Sequence, residues 1–295
     1  MCNIVVLVLL VMLLLGYFTL LERKLLGYGQ MRKGPNKGVV WGLLQPLLDG
    51  IKLFMKGAIM VWSGTIMLSF LGGGFGLGVV LMLWWLSLGL VGHWGVVYGM
   101  VLIIVFSGVV SVLYFVVGFL SMCSYGGFGS VRSLAMVLTY EGVMFFSLVG
   151  LYWGQLGGTL SMGGFSVVSL ALLLALLLGM VVESGRTPTD FVEGESELVS
   201  GLTTEMGGLV FSFLFMLEYG VMGAFACIWT YLVVGLSVTL SLKVSFIMVG
   251  VMCLFNWLRM TLPRSRYDLV MEWGWKVLLV VVFGLLLLMF SFSWL

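Results

Sequence analysis

Residues 57–131, GAIMVWSGTIMLSFLGGGFGLGVVLMLWWLSLGLVGHWGVVYGMVLIIVFSGVVSVLYFVVGFLSMCSYGGFGSV, run for 75 residues without one Asp, Glu, Lys or Arg. A helix that crosses a bilayer needs about 20 apolar residues. The stretch therefore holds two spans, roughly 62–91 and 96–120, with Gly92, His93 and Gly95 in the short connection between them. Measuring outward with the same ruler places further spans at about 1–21, 133–153, 164–182, 207–233, 238–258 and 274–295. Of the 295 residues, 62% are hydrophobic and 9% charged, against about 25% charged in soluble domains. The sequence predicts an all-α, polytopic membrane protein: one membrane domain over 1–295 with eight transmembrane helices and inner loops at 22–61, 121–133, 183–206 and 259–276.

The charges test that count. Eight spans put both termini on one face, and the loops after spans 1, 3, 5 and 7 on the other. Thirteen of the fourteen basic residues fall on this second face, and only Lys243 lies opposite. The positive-inside rule makes the basic face cytoplasmic, or the matrix side of a mitochondrial membrane. Met1 to Leu21 has no basic leading segment and no small-residue cleavage site before Glu22-Arg23-Lys24, which predicts a retained first span with its N-terminus outside.

Several function classes drop out. A net charge of +2 with no long basic run gives no reason to expect nucleic acid as a partner. Cys2, Cys123, Cys227 and Cys253 show no CxxC spacing and are expected as packing groups, with no metal, iron–sulfur or disulfide framework. Gly72-x3-Gly76 and Gly74-x3-Gly78 lie inside a span and not between a strand and a helix, so close helix packing is expected instead of a nucleotide loop. His93, the sole histidine, has no acidic neighbour in its turn and is expected to be solvated.

In the first inner loop, Gln45, Asp49, Lys52 and Lys56 recur at steps of four, three and four. Trp41, Leu44, Leu47, Leu48, Ile51, Phe54 and Met55 fill the other side. The pattern predicts an amphipathic helix lying in the interface, entered through the Gly34-Pro35-Asn36 turn. Either it anchors the surface or it gates the passage of a lipid-soluble substrate from the bilayer.

Leu21-Glu22-Arg23-Lys24, Gly27-Tyr28, Gln30, Arg32-Lys33-Gly34-Pro35-Asn36 and Gly42-Leu43-Leu44-Gln45-Pro46 together resemble the signature of the subunit 1 family of respiratory complex I. The third inner loop, Glu183-Ser-Gly-Arg186-Thr-Pro188-Thr-Asp190-Phe-Val-Glu193-Gly-Glu195-Ser-Glu197, resembles the same family almost position by position. So do Arg132, Tyr140-Glu141, Glu218-Tyr219, Trp257-Leu258-Arg259, Pro263-Arg264, Arg266-Tyr267-Asp268 and Trp275-Lys276. The chain departs from the family pattern where an Asn gives way to Gly185, an aromatic to Thr189, a Tyr to Met206 and Glu-Pro to Gly57-Ala58.

The acidic loop also has chemistry of its own. Thr187, Pro188 and Asp190 suggest a helix start with an N-cap, a proline at the first position and an acid at the third. The helix would align Asp190, Glu193 and Glu197. Like charges at that spacing repel, so at least one of these loop carboxyls should hold a proton near neutral pH. Glu141 and Glu218 stand inside otherwise apolar spans, where an ionisable group is expensive and usually functional.

The resemblance implies a subunit of a proton-translocating NADH:ubiquinone oxidoreductase in the mitochondrial inner membrane or a bacterial plasma membrane. It implies ubiquinone as substrate, no cofactor bound by this chain and no redox activity from it alone. FMN and iron–sulfur clusters would sit in partner subunits, and peripheral quinone-module and antiporter-like subunits would be neighbours, with membrane lipid around them. Arg23, Gln30, Arg32, Asp49, Lys52 and Arg186 would shape the quinone cavity. Glu141, Glu183, Asp190, Glu193, Glu195, Glu197, Glu205 and Glu218 would carry protons, and Arg264 and Arg266 would dock the peripheral arm. The alternatives are the related membrane subunit of an energy-converting hydrogenase, an autonomous ion transporter, which would be expected to show paired repeats, and a structural scaffold.

Overall fold

A computed structural model describes residues 2–37, 40–57, 63–89, 96–156, 167–190, 206–234 and 242–293. Hydrocarbon offers the backbone no partner, so a spanning segment must satisfy its own N–H and C=O groups. Accordingly, the described residues form helices and turns with no strand. They are α1 (Cys2–Gly29), α2 (Gln45–Met55), α3 (Ser63–Gly89), α4 (Val96–Leu120), α5 (Ser124–Leu156), α6 (Val167–Glu183), α7 (Leu209–Val234), α8 (Leu242–Thr261), α9 (Tyr267–Trp273) and α10 (Leu279–Ser293). A short 3-10 turn, Val40–Gly42, precedes α2, and a π turn, Gly274–Leu278, joins α9 to α10.

Among the described residues, six stretches are long and apolar enough to cross a membrane: Met67–Leu88, Gly99–Leu120, Ser124–Gly154, Leu209–Val234, Val244–Thr261 and Tyr267–Ser291. The first and fifth expected spans correspond to α1 and to α6, whose 17 residues are somewhat short of the usual bilayer length.

At the centre stands α7, packed against α3, α8, α1, α6 and α4, while α5 lies between α4, α6 and α10. Small residues make the closest approach. A Cβ on Gly220 would lie 2.3 Å from Val80 Cγ1 and one on Gly223 2.5 Å from Trp84 Cζ2, and the Trp84 indole donates to the Gly220 carbonyl at 3.0 Å. The span-2 glycines divide. A Cβ on Gly72 or Gly76 would press on Val117 at 3.2 Å or Leu217 at 2.8 Å, so this motif does bring helices together. An added Cβ on Gly74 or Gly78 would meet no other helix of this chain. His93 lies outside the described residues.

Three helices pass the points where charge was expected to end them. The first runs on to Gly29, because Glu22 is buried against Arg259 and needs no water. The fifth starts at Ser124 and carries Arg132, whose guanidinium lies 5.7 Å from the Tyr267 ring centre. Residues 267–276, expected as loop, are helical, with Lys276 and Glu272 one turn apart at 3.4 Å. Partners from distant or neighbouring turns engage these charges, by ion pairing at Glu22 and Lys276 and by a ring face at Arg132, so these charged residues mark no helix end.

Candidate functional site

Two cavities flank α7 on its N-terminal half. The larger, about 650 Å³, is enclosed by α1, α2 and α7 with Arg186 and Arg259 reaching in. Its wall is apolar through Leu13, Leu47, Phe54, Phe211, Phe215 and Met216, and its polar groups include Glu22, Arg23, Asp49, Arg186, Tyr219 and Arg259 beside the hydroxyls of Tyr17, Thr19 and Ser212. A largely apolar pocket with a few convergent polar groups suits an organic molecule with a polar head. At its edge Arg23 Nη1 meets Asp49 Oδ2 at 2.6 Å, and the Gln45 side-chain amide also donates to Asp49, at 3.0 Å.

The smaller cavity, about 70 Å³, lies between α4, α5, α6 and α7. It has room for several water molecules. Ser107, Ser111, Tyr114, Ser133, Glu183, Thr189 and Glu218 supply its polar lining. Deeper on α5 lies Glu141, near enough to Glu183 for the two to repel when both are charged. One oxygen of each, Glu141 Oε1 and Glu183 Oε2, is buried without a hydrogen-bond partner. Glu141 fits against α4 because residue 108 is glycine: a Cβ there would lie 2.5 Å from Oε1.

A line of side chains joins the cavities. Glu22, only 5% exposed, is paired with Arg259 and accepts a 2.5 Å hydrogen bond from the Tyr219 hydroxyl. The Arg186 guanidinium sits 4.7 Å from the Tyr219 ring centre and 5.5 Å from that of Phe215, an arrangement in which the ring faces attract the cation. Arg186 Nη2 then meets Glu218 Oε2 at 2.8 Å, and the Tyr114 hydroxyl donates to Glu218 Oε1. Successive polar groups thus lead from the wall of the larger cavity to the wall of the smaller one.

The loop that supplies Arg186 folds differently from expectation. Residues 187–190 form a turn with no helical residue among them, and Glu193 and Glu197, expected to align with Asp190 on a helix, lie outside the described residues. The Thr189 amide and hydroxyl both return to the Arg186 carbonyl, at 2.9 and 3.1 Å, and the Ser265 amide and hydroxyl both bind the Pro188 carbonyl, at 3.0 and 2.8 Å. Arg264 donates to the Asp190 carbonyl. Hydrogen bonds from Ser265 and Arg264 therefore take the Pro188 and Asp190 carbonyls, which a helix starting here would have used as acceptors in its own ladder. Gly185 ends α6 with φ +59°, a conformation open to Gly and tolerated by Asn, so a Gly is at home where the family pattern has Asn. Gly185 and Thr189 line the smaller cavity, so two of the departures bear on the carboxylate chamber.

Arg23, Asp49 and Arg186 line the larger cavity; Glu183 and Glu218 line the smaller, with Glu141 behind them. Gln30 and Arg32 are exposed and bonded to each other at 2.8 Å, away from the larger cavity. Lys52 is also exposed and off the lining. The helix turns Pro46, Leu47, Gly50, Leu53 and Phe54 to the cavity, and at roughly 3.6 residues per turn Lys52 falls on the opposite side from the middle of that face. Asp49 alone of the polar stripe reaches the edge. Arg264 is engaged within the chain, whereas Arg266 is exposed beside Asp268 at 3.3 Å. Glu193, Glu195, Glu197 and Glu205 lie outside the described residues. Among the described residues no group of His, Cys, Asp and Glu could hold a metal ion.

Sequence reasoning passed over Glu22, Arg259, Tyr219, Tyr114 and Gly108 as site residues. Glu22, Arg259 and Tyr219 stood within the quoted motifs, where a buried Glu next to an exposed Arg in a run of charges gives no local sign of its burial. Tyr114 and Gly108 carried no signal, each being one aromatic or one glycine in an apolar span.

A family model described as NADH dehydrogenase matches residues 2–290. NADH-ubiquinone oxidoreductase chain 1 of Heterololigo bleekeri is 36% identical, the match covering 94% of this chain and 91% of that protein. The protein of the same name from Apis mellifera ligustica is 31% identical over 95% and 93%. A bacterial relative, from the NADH-quinone oxidoreductase of Verminephrobacter eiseniae, is 31% identical over 92% and 84%. With its apolar spanning helices and a match along almost its full length, the chain belongs to the NADH dehydrogenase family of membrane subunits of NADH:quinone oxidoreductase.

Proposed function

We propose that the larger cavity receives the quinone headgroup and that the side-chain line from Glu22 to Glu218 carries the consequence of quinone reduction to the carboxylates of the smaller cavity, coupling it to proton translocation. The observation that carries this reading is the continuity of the line: each side chain from Glu22 to Tyr114 touches the next, the Tyr219–Arg186 step through the ring face, and its ends lie on different cavities. In this reading eight helices span the mitochondrial inner membrane, or a bacterial plasma membrane, and α2 lies in the interface with its apolar side over the cavity. Arg23 and Asp49 stand at the entrance, and Arg186, Tyr219 and Arg259 are the polar groups within reach of a carbonyl oxygen. Gln30, Arg32 and Lys52 act outside the cavity proper. Electrons arrive from FMN and iron–sulfur clusters in peripheral partner subunits, and antiporter-like subunits take up the coupling. Glu193, Glu195, Glu197 and Glu205 extend the carboxylate series, and Arg266 faces a partner.

Photolabelling tests the cavity. An azido-ubiquinone irradiated on the assembled complex should attach to peptides of α1, α2 and α7, and excess ubiquinone should suppress the label. Label confined to other subunits would remove the quinone from this chain.

Gly108→Ala tests the carboxylate chamber without touching a titratable group. The added methyl must push Glu141 away from α4, and a misplacement of this order at a working group can lower a rate by about tenfold or more. Quinone reductase activity of the assembled complex should fall on that order, while NADH oxidation by a water-soluble artificial acceptor stays unchanged. Unaltered quinone reduction would take the position of Glu141 out of the mechanism.

A further inference from the structure

We infer that Tyr114 is a positioning residue for Glu218, holding one carboxyl across the partition between the two cavities. The inference rests on the coupling role just proposed for Glu218. Arg186, on the wall of the larger cavity, takes Oε2. Tyr114, on the wall of the smaller one, donates its hydroxyl to Oε1. The carboxyl is therefore held from opposite sides by donors that belong to different cavities, and neither donor alone fixes both oxygens.

Other donors near Oε1 are engaged elsewhere. A serine has one O–H, and Ser111 and Ser133 direct theirs to the carbonyls of Gly108 and Ser130, each three residues back, both at 2.7 Å. Ser107 likewise directs its hydroxyl to the Ile104 carbonyl at 2.9 Å. Tyr114 is 9% exposed, and its ring is held in the buried core of α4 and α7, so the hydroxyl is delivered by a rigid, packed side chain. A rigid donor keeps Glu218 facing the smaller cavity when Arg186 responds to events in the larger one. Without it the carboxyl can rotate after Arg186 and leave the chamber wall.

The test is Tyr114→Phe in membranes carrying the assembled complex, with Glu218→Gln measured alongside. Phe keeps the ring and removes the donor. A hydrogen bond to a charged group is worth roughly tenfold in rate if it operates in the limiting step, so quinone reductase activity should fall by about that factor, with artificial-acceptor activity unchanged. The readout that packing alone would not move is the carboxylic C=O band in the redox-induced infrared difference spectrum. The band that Glu218→Gln abolishes should be shifted, not lost, in Tyr114→Phe. An unshifted band or an unchanged rate in Tyr114→Phe, with Glu218→Gln impaired, overturns the role of Tyr114 and leaves the coupling path standing. Failure of Tyr114→Phe to assemble also overturns it, since the hydroxyl would then serve the fold. A fully active Glu218→Gln complex overturns the path itself, and the inference with it.

Discussion

Glu218→Gln should yield an assembled complex whose quinone reductase activity is depressed on the order of a hundredfold, the lower end of what a positioned acid–base group contributes, while NADH oxidation by an artificial acceptor stays near normal. The substitution keeps size and one acceptor oxygen, so either Tyr114 or Arg186 can still be satisfied. It removes the negative charge and with it the ion pair to Arg186. That pair is partly buried, with 13% of the Arg186 side chain and 17% of the Glu218 side chain exposed, and Arg186 is also held over Phe215 and Tyr219. These ring contacts and the remaining carboxamide oxygen should keep Arg186 in place, so assembly survives and the defect appears in the coupled reaction. Parallel loss of both activities would place Glu218 in the fold and not in the path. Full coupled activity would remove it from both.

What the chain disclosed in advance follows physical lines. The charge-free run 57–131 gave two spanning helices because bilayer thickness leaves an apolar segment of that length little alternative. Helix ends were harder. Glu22 and Arg259 come together across the bundle, and Arg132 meets Tyr267, so the charges expected to stop helices are satisfied by residues far away in the chain. The same applies to Thr187 and Pro188, whose local helix-start signal lost to hydrogen bonds from Ser265 and Arg264. On α2 the polar period was legible but not the side that faces the cavity, because an amphipathic pattern does not say whether its apolar face meets lipid or a pocket. Glu141, Glu183, Arg186 and Glu218 stood out as ionisable groups in apolar surroundings. Tyr114 and Gly108 acquire a role only from what α7 and α5 place against them, and no spacing within α4 encodes that.

The second large effect is expected at Glu22. Removing one partner of a buried pair leaves an uncompensated charge and costs roughly 3–5 kcal/mol. The figure here should fall toward the lower end, because Arg259 is 28% exposed. Glu22→Ala also strips the Tyr219 hydroxyl of its acceptor, and Tyr219 is 5% exposed. The folded-to-unfolded ratio should fall by on the order of a hundredfold, since each 1.4 kcal/mol corresponds to about tenfold, and the amount of assembled complex, measured on native gels and by artificial-acceptor activity of membranes, should fall several-fold or more, since about 1–2 kcal/mol already changes abundance several-fold. A structural defect alone would not reveal whether the pair also works in the reaction, and the double variant Glu22→Met with Arg259→Met separates the two. Replacing both members of a buried pair by apolar groups of similar volume is often neutral for stability, so assembly and artificial-acceptor activity should return. Quinone reductase activity should not return, because the larger cavity would have lost two polar groups from its wall and the side-chain line would begin at a Tyr219 with no carboxylate beside it. Recovery of quinone reduction together with assembly would reduce Glu22 and Arg259 to a device for packing α1 against α8, and the path would then have to start at Arg186.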